Sequence, residues 1–399
     1  MILMKNVHIL IYSEEFPNPA EPTRGTFVER NLPFFPDYVD IKVIAPIPFL
    51  LAKRRGKRNL TIPHKEIKQY GKRETEIYHP RYILFPRNFF RPLIGIFQYL
   101  SAFKTIQKIN EIWLIDLIHV HFSYPAGAAV RMICERLKLK YIVTEHRGAI
   151  DNFLQNRYLR PQIKQTYRQA ERIIAVSEFT HKQIQKAGFD NLPVEIIPNG
   201  IQIQNFLIST QKSEPSNLVY IGNLIPTKGI QLLIKALAEL KQEGINFQLD
   251  IIGDGKYKNV LQRLAKDLNL QNDICFLGIK TPEEICNLLS SYDILVQPSL
   301  LESFSIVLIE AMAAGLPVIA TRCGGPEFIV TEQTGILVQP ASVKELVSGL
   351  KYMKDNWQKY DPIQIRGYTA ANYDIVLLTQ KISTLYLNVT CAEDNNDEQ

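Results

Sequence analysis

Cysteine, long apolar runs and the common nucleotide-binding fingerprints are what this sequence lacks, and each shortage excludes something. The five cysteines, Cys134, Cys275, Cys286, Cys323 and Cys391, are odd in number and scattered, with no CxxC pair. That argues against a disulfide framework and a zinc site, and it fits a reducing cytosol. The longest apolar-rich run, PLIGIFQYLSAF from Pro92, is too short to cross a bilayer. The N-terminal MILMKNVHILIYS lacks the form of a signal peptide and reads as a first buried strand. No GxGxxG follows that strand, which disfavours a nicotinamide-dependent enzyme. No GxxxxGK[ST] occurs, which disfavours a P-loop ATPase or kinase.

What is present describes a soluble globular chain of two domains, with 46% apolar and 22% charged residues over 399 positions. The net charge of +6 is unevenly spread. Residues 1–200 hold 30 basic and 18 acidic residues, and the remainder holds 16 and 22. The excess concentrates between positions 51 and 91, with twelve basic and three acidic residues, and Phe89, Phe90, Phe97 and Phe103 lie at or beyond its end. Two readings stand: a solvated basic surface loop, or a patch resting on anionic lipid with aromatics at the interface. No zinc-finger, RRM or helix-turn-helix pattern accompanies the charge, so no nucleic-acid partner is expected.

Short β-rich apolar runs alternate with helical-period segments, which predicts parallel sheets covered by helices. NVHILIYS, VDIKVIAPI, LIDLIHVHF, KYIVTEH, RIIAVS and VEIIPNG form a first series of strands. After the polar stretch NFLISTQKSEPSN, the best linker candidate, NLVYIGN, FQLDIIG, DICFLG, DILVQPS, LPVIATRC and GILVQP form a second. The expected organisation is a first domain at 1–200, a linker at 201–215, a second domain at 216–373, a final helix at 374–390 and a disordered acidic tail at 391–399. Two doubly wound halves bind ligands at the carboxyl ends of their strands, so a cleft between them is the default site.

One stretch of the second half, QPSLLESFSIVLIEAMAAGLPVIATRCGGPE, reads as strand, loop, helix, glycine cap and strand. Ser303 or Ser305 is expected to cap the helix. Glu302 then lies in the loop and Glu310 inside the helix. Their spacing carries no weight, since Glu21 with Glu29 and Glu66 with Glu74 share it; their position does. A helix N-terminus suits phosphate oxygens, and about five residues at 1.5 Å each put Glu310 about 7–8 Å away, comparable to the reach from a diphosphate to its ribose. Upstream, Gly222 ends a strand, and Lys228 with Gly229 precedes the next helix, where a lysine offers a charge to a phosphate without a metal. Gly324 and Gly325, after another strand, allow close backbone approach.

The ordered set GNLIPTKG, IIGDG, QPSLLESFSIVLIEAMAAGLPVIATRCGGPEFI and GILVQP resembles glycosyltransferase family 4, the retaining group 1 enzymes of polysaccharide biosynthesis. IHVHFSYPAG, TEH, AVSEFT and IPNGI extend the resemblance over nearly the whole chain. It implies a GT-B fold: α/β, two doubly wound Rossmann-like domains facing a cleft, the first binding the acceptor and the second the nucleotide sugar, with the C-terminal helix crossing back to the first. It also implies metal-independent transfer of a sugar from a nucleotide donor, with retention. By resemblance Glu310 holds the ribose hydroxyls, and Glu302 faces the donor sugar. The backbone N–H groups of Phe304, Ser305 and Ile306 contact sugar or phosphate, and Lys228 binds the diphosphate. His146 touches the transferred sugar and Gly25 approaches the diphosphate. Glu302, Lys228 and His146 are the catalytic candidates. Asn223, beside Gly222, stands where the family has an arginine, and Arg24 or Arg147 is a candidate to replace its charge. His119 and His121, on one strand, are expected to face opposite sides of it, one buried and one towards the acceptor.

The function expected is a hexosyltransferase acting on a saccharide or lipid-linked saccharide in the cytoplasm, peripheral on the inner face of the membrane, with no cofactor. Two alternatives stay open: a nucleotide-sugar epimerase of the same fold, and a binding protein without turnover. The nucleotide, UDP, GDP or ADP, is not readable from the sequence.

Overall fold

The computed structural model describes residues 6–49, 62–85, 90–148, 150–209 and 214–391. The chain forms two compact units, Met1–Pro198 together with Val376–Gln399, and Asn199–Ile375.

Among the described residues the first unit is built on ten strands: β1 (Val7–Tyr12), β2 (Val39–Ile44), β3 (Ile47–Pro48), β4 (Lys65–Tyr70), β5 (Arg73–Tyr78), β6 (Arg81–Tyr82), β7 (Leu117–His121), β8 (Tyr141–Glu145), β9 (Arg172–Ala175) and β10 (Val194–Ile196). Eight form one sheet in the order β10-β9-β8-β7-β1-β2-β5-β4, and β3 pairs with β6. Every pairing in the large sheet is parallel except the β4–β5 hairpin. Strands β1, β7 and β8 are almost wholly buried, as apolar runs covered on both faces must be. The helix Ile94–Trp113 packs Ala102, Ile106 and Ile109 into the core on one side. The final helix, Ile375–Thr390, packs Leu378, Leu385, Tyr386 and Val389 against Val7, Ile9 and Ile41 on the other.

The second unit holds β11 (Asn217–Ile221), β12 (Gln248–Ile252), β13 (Ile274–Gly278), β14 (Ile294–Gln297), β15 (Val318–Thr321) and β16 (Gly335–Val338) in one parallel sheet, order β13-β12-β11-β14-β15-β16. This is the doubly wound 3-2-1-4-5-6 order, whose direction reverses between β11 and β14. In the first unit the same reversal falls between β1 and β7.

The structure departs from the expected linker. The described part of 201–215 is packed rather than loose: Ile201, Ile203 and Phe206 are buried. Arg366 donates to the carbonyl oxygens of Ile203 and Phe206 at 2.9 and 2.8 Å. Three apolar side chains hold the segment onto the second unit despite its polar neighbours. Residues 392–399 of the expected tail lie outside the described residues, as do 50–61 and 86–89 of the basic stretch.

Candidate functional site

At the reversal point of the second unit, two loops leave adjacent strands, from β11 through Gly222 and Asn223, and from β14 through Pro298 to Glu302. Gly229 locks them together. Its φ is +71°, and a Cβ there would lie 1.8 Å from the Pro298 carbonyl oxygen, so only glycine fits. Lys228, at the end of a turn of 3-10 helix, donates to Glu302 Oε1 at 2.5 Å. Their side chains are 22% and 11% exposed, so the pair is shielded from most of the solvent yet reachable from it. Asn223 is exposed, and its carbonyl oxygen accepts from Tyr220 Oη at 3.2 Å.

Glu302 is fixed along its backbone as well. It bridges in parallel to Gly324, and Gly325 N–H donates to its carbonyl oxygen at 2.8 Å. The two glycines therefore bring β15's exit loop against the protein's own 302–304 segment. The helix Ile306–Ala313 follows, with Leu308, Ile309, Ala311, Met312 and Ala313 buried. Ser305 does not cap it as expected: its side chain makes no capping bond, and its backbone sits at φ 85°, ψ 85°. That left-handed geometry turns the side chain away from the N–H groups it would have bonded. Among the described residues, the N–H groups of Phe304, Ser305 and Ile306 have no acceptor, leaving orphan donors at a positive dipole end. Glu310 stands five positions beyond Ser305, half-buried. The helix closes in a Schellman motif, with Leu316 N–H on Ala311 O and Gly315 N–H on Met312 O, each at 3.0 Å. Lys228, Glu302 and the helix start are thus brought together, with Glu310 about 7–8 Å along the axis.

In the first unit the candidates gather at the carboxyl ends of β1, β7 and β8. Gly25, at φ 63°, begins a four-residue helix; a Cβ there would meet the Glu15 carbonyl carbon at 2.2 Å. His146 Nε2 lies 2.9 Å from His121 Nδ1, and its ring packs on Phe27 and Phe122. The expectation that His119 and His121 face opposite sides is overturned. Residues two apart along a strand share a face, and the two rings stack with centroids 4.5 Å apart. His119 lies between Tyr386 Oη and Thr144 Oγ1, each at 2.6 Å. Burial holds all three imidazoles neutral. It pushes His121 down to about 3, and His119 and His146 well below the usual histidine range, the neighbouring rings and, at His146, Arg147 adding to it.

Two acids missed in the sequence organise this end. Glu145, fully buried, accepts from Ser123 N–H and Oγ, Tyr167 Oη, and the N–H groups of His146 and Arg147. It thereby fixes the turn that presents His146. Glu14 accepts from Gln98 Nε2 at 2.8 Å and lies 3.5 Å from Arg147. Burial raises its pKa, against the pull of Arg147. Arg24 is held by Glu15 and Glu21. Both arginines considered as replacements for the charge missing at Asn223 are therefore engaged by carboxylates of their own unit. Among the described residues no group of three or more His, Cys, Asp or Glu side chains could hold a metal ion.

Comparison with known proteins bears on this arrangement. The family described as glycosyl transferases group 1 matches residues 203–369, and that described as Glycosyltransferase Family 4 matches residues 63–205. An uncharacterized glycosyltransferase of Methanocaldococcus jannaschii is 30% identical over 260 residues, 63% of this chain and 70% of that protein. The putative teichuronic acid biosynthesis glycosyltransferase TuaC of Bacillus subtilis is 25% identical over 369 residues, 86% of this chain and 88% of its own. Among solved structures, sucrose-phosphate synthase from Thermosynechococcus elongatus superposes with TM-score 0.80 at 18% identity, covering 97% of this chain and 100% of that one. Anabaena HepE in complex with UDP gives 0.71 at 20%, covering 95% and 99%. These likenesses show the GT-B fold, two Rossmann-like α/β domains. The chain belongs to the group 1 glycosyltransferases of the family 4 type.

Proposed function

We propose that this glycosyltransferase moves a sugar from a nucleoside-diphosphate donor to a hydroxyl of a saccharide or lipid-linked saccharide, with retention and without a metal, in cell-envelope polysaccharide synthesis. The observation that carries the reading is the cluster at the β11–β14 reversal: an ammonium, a carboxylate and three N–H groups without acceptors at one helix start. HepE was solved with UDP. TuaC and the WcaL protein of Escherichia coli are named for teichuronic acid and colanic acid biosynthesis, which supports an envelope polysaccharide as the product.

Negative charge grows on the diphosphate as the sugar–oxygen bond breaks and its electron pair leaves with the phosphate oxygen. Lys228 spends one of its three N–H groups on Glu302, and the others suit that oxygen, with the helix start stabilising charge where it develops. The acceptor oxygen bonds to the anomeric carbon on the face the phosphate leaves, and its proton passes to the departing phosphate. Neutral His146 is suited to a hydrogen bond with a sugar hydroxyl rather than to charge stabilisation. Glu310 serves the ribose hydroxyls.

A thermal-shift panel of UDP, GDP, ADP and their sugars, followed by transfer assays with saccharide acceptors, tests this. One nucleotide series should raise the melting temperature, Glu310→Gln should weaken that series about tenfold, and sugar should reach the acceptor. Isomerised nucleotide sugar with no transfer would instead identify an epimerase, and binding without transfer or donor hydrolysis a binding protein.

A further inference from the structure

Glu302 offers two carboxylate oxygens, and the protein uses them unequally. Lys228 Nζ, Ser299 Oγ and Gln297 Nε2 converge on Oε1 at 2.5, 2.9 and 3.0 Å. Among the described residues no donor reaches Oε2. Three donors crowd the lone pairs of the first oxygen. The second therefore remains able to accept a further hydrogen bond.

Two of those donors are unusual where they stand. Gln297 ends β14 and is 2% exposed, and Ser299 is wholly buried. Among the described residues, the Gln297 nitrogen meets only Glu302 and Ser299 Oγ, the latter at 3.2 Å, while its amide oxygen is buried without a partner. A glutamine placed for packing alone would be poorly served by such a position, since buried polar groups cost free energy unless paired. Thr321 Oγ1 donates to the Ser299 carbonyl oxygen and anchors the loop to β15.

We infer that Gln297 and Ser299 are positioning residues of the donor-sugar site. They pin Oε1 so that the rotamer of Glu302 is set before a ligand arrives, and they turn Oε2 to accept a hydroxyl of the transferred sugar. An ionised carboxylate is acceptor-only. The site thus selects a sugar carrying a hydroxyl at that point over one carrying fluorine or hydrogen. This rests on the donor reading above and adds which residues prepare the carboxylate.

The test uses the full chain with whichever pair the panel selects: UDP and UDP-glucose, GDP and GDP-mannose, or ADP and ADP-glucose. Ser299→Ala and Gln297→Met should bind the free nucleoside diphosphate within about twofold of wild type. The kcat for transfer should fall about tenfold or more with little change in KM, as misplacement of a preorganised group predicts. Ser299→Thr, which keeps the hydroxyl, should recover most of the turnover. Discrimination against a monofluorinated donor sugar should shrink in the two impaired variants. Wild-type kcat in both Ser299→Ala and Gln297→Met would overturn the inference. So would equal losses in nucleoside-diphosphate affinity and turnover, which mark a role in folding only. If the wild-type chain binds none of the three pairs, the donor reading fails and this inference with it; if wild type transfers and the variants match it, this inference alone fails.

Discussion

His119 and His121, both buried, and half-buried His146 form an uncharged stack whose titration leaves a mark on stability. Above about pH 6.5 neither folded nor unfolded chain protonates these rings appreciably. Below it the unfolded chain takes up a proton that His121 refuses until about pH 3. The unfolded state then binds more protons, so stability rises with pH and falls on acidification, by about 1.4 kcal/mol per pH unit for each such ring. Urea unfolding between pH 7.5 and 4.5 should show His121→Asn losing stability less steeply than wild type by about that slope; identical slopes would refute the buried-neutral assignment. The stack was only partly legible in the sequence. His146 stood out through TEH, but its partner was misjudged by assigning the wrong face to residues two apart. The phosphate role proposed for Lys228 came from its place between a strand end and a helix start, and that proposed for Glu302 from the family resemblance. That 74 residues of separation close to a direct contact follows from the strand order, which no local pattern encodes.

At the scale of elements, the strands of both sheets were readable because apolar runs between turn residues are what a doubly buried parallel strand requires. The β4–β5 hairpin was not. KEIKQYGKRETEIY lies in the basic stretch, and its half-exposed edge strand hides a period of two among charges, while Gly71 at φ 60° supplies the turn. The helix Ile94–Trp113 and the residue before it carry the other surface of interest. Leu93, Ile96 and Leu100 are exposed, Phe97 is half-exposed, and their spacing puts them on one stripe opposite Gln98, Ala102 and Ile106. Phe85 bridges the rings of Phe90 and Phe97, and Lys104 and Lys108 follow on the same helix. No described helix is long and apolar enough to span a membrane. The expected peripheral position therefore rests on this stripe with its basic flank. Co-sedimentation with phosphatidylglycerol vesicles should fall about tenfold or more in Ile96→Ser with Leu100→Ser, and added salt should weaken wild-type binding. Folding stability should fall by no more than about 1 kcal/mol, because Ile96 and Leu100 keep 39% and 65% of their surface exposed. Unchanged vesicle binding would remove the stripe from the membrane reading.

At the scale of the molecule, the chain leaves its first unit at Pro198 and returns at Val376, so that unit is completed by a segment that follows the whole of the second in sequence. Leu378, Leu385, Tyr386 and Val389 are each at most 4% exposed and belong to the same apolar cluster as β1 and β2. Thr379 Oγ1 donates to the Phe34 carbonyl oxygen at 3.1 Å, and Tyr386 Oη holds His119. At about 1.5–3 kcal/mol for each large buried side chain, the four together rival the entire net stability of an ordinary domain, about 5–15 kcal/mol. The second unit, Asn199–Ile375, is continuous and depends on no such return. Expressed alone, residues 199–375 should unfold cooperatively in urea and keep any nucleoside-diphosphate affinity the full chain has. Residues 1–198 alone should lack a cooperative transition, and supplying residues 376–391 as a separate peptide should restore one. A cooperative, native-like 1–198 fragment without that peptide would show that the closing helix covers a core able to form without it.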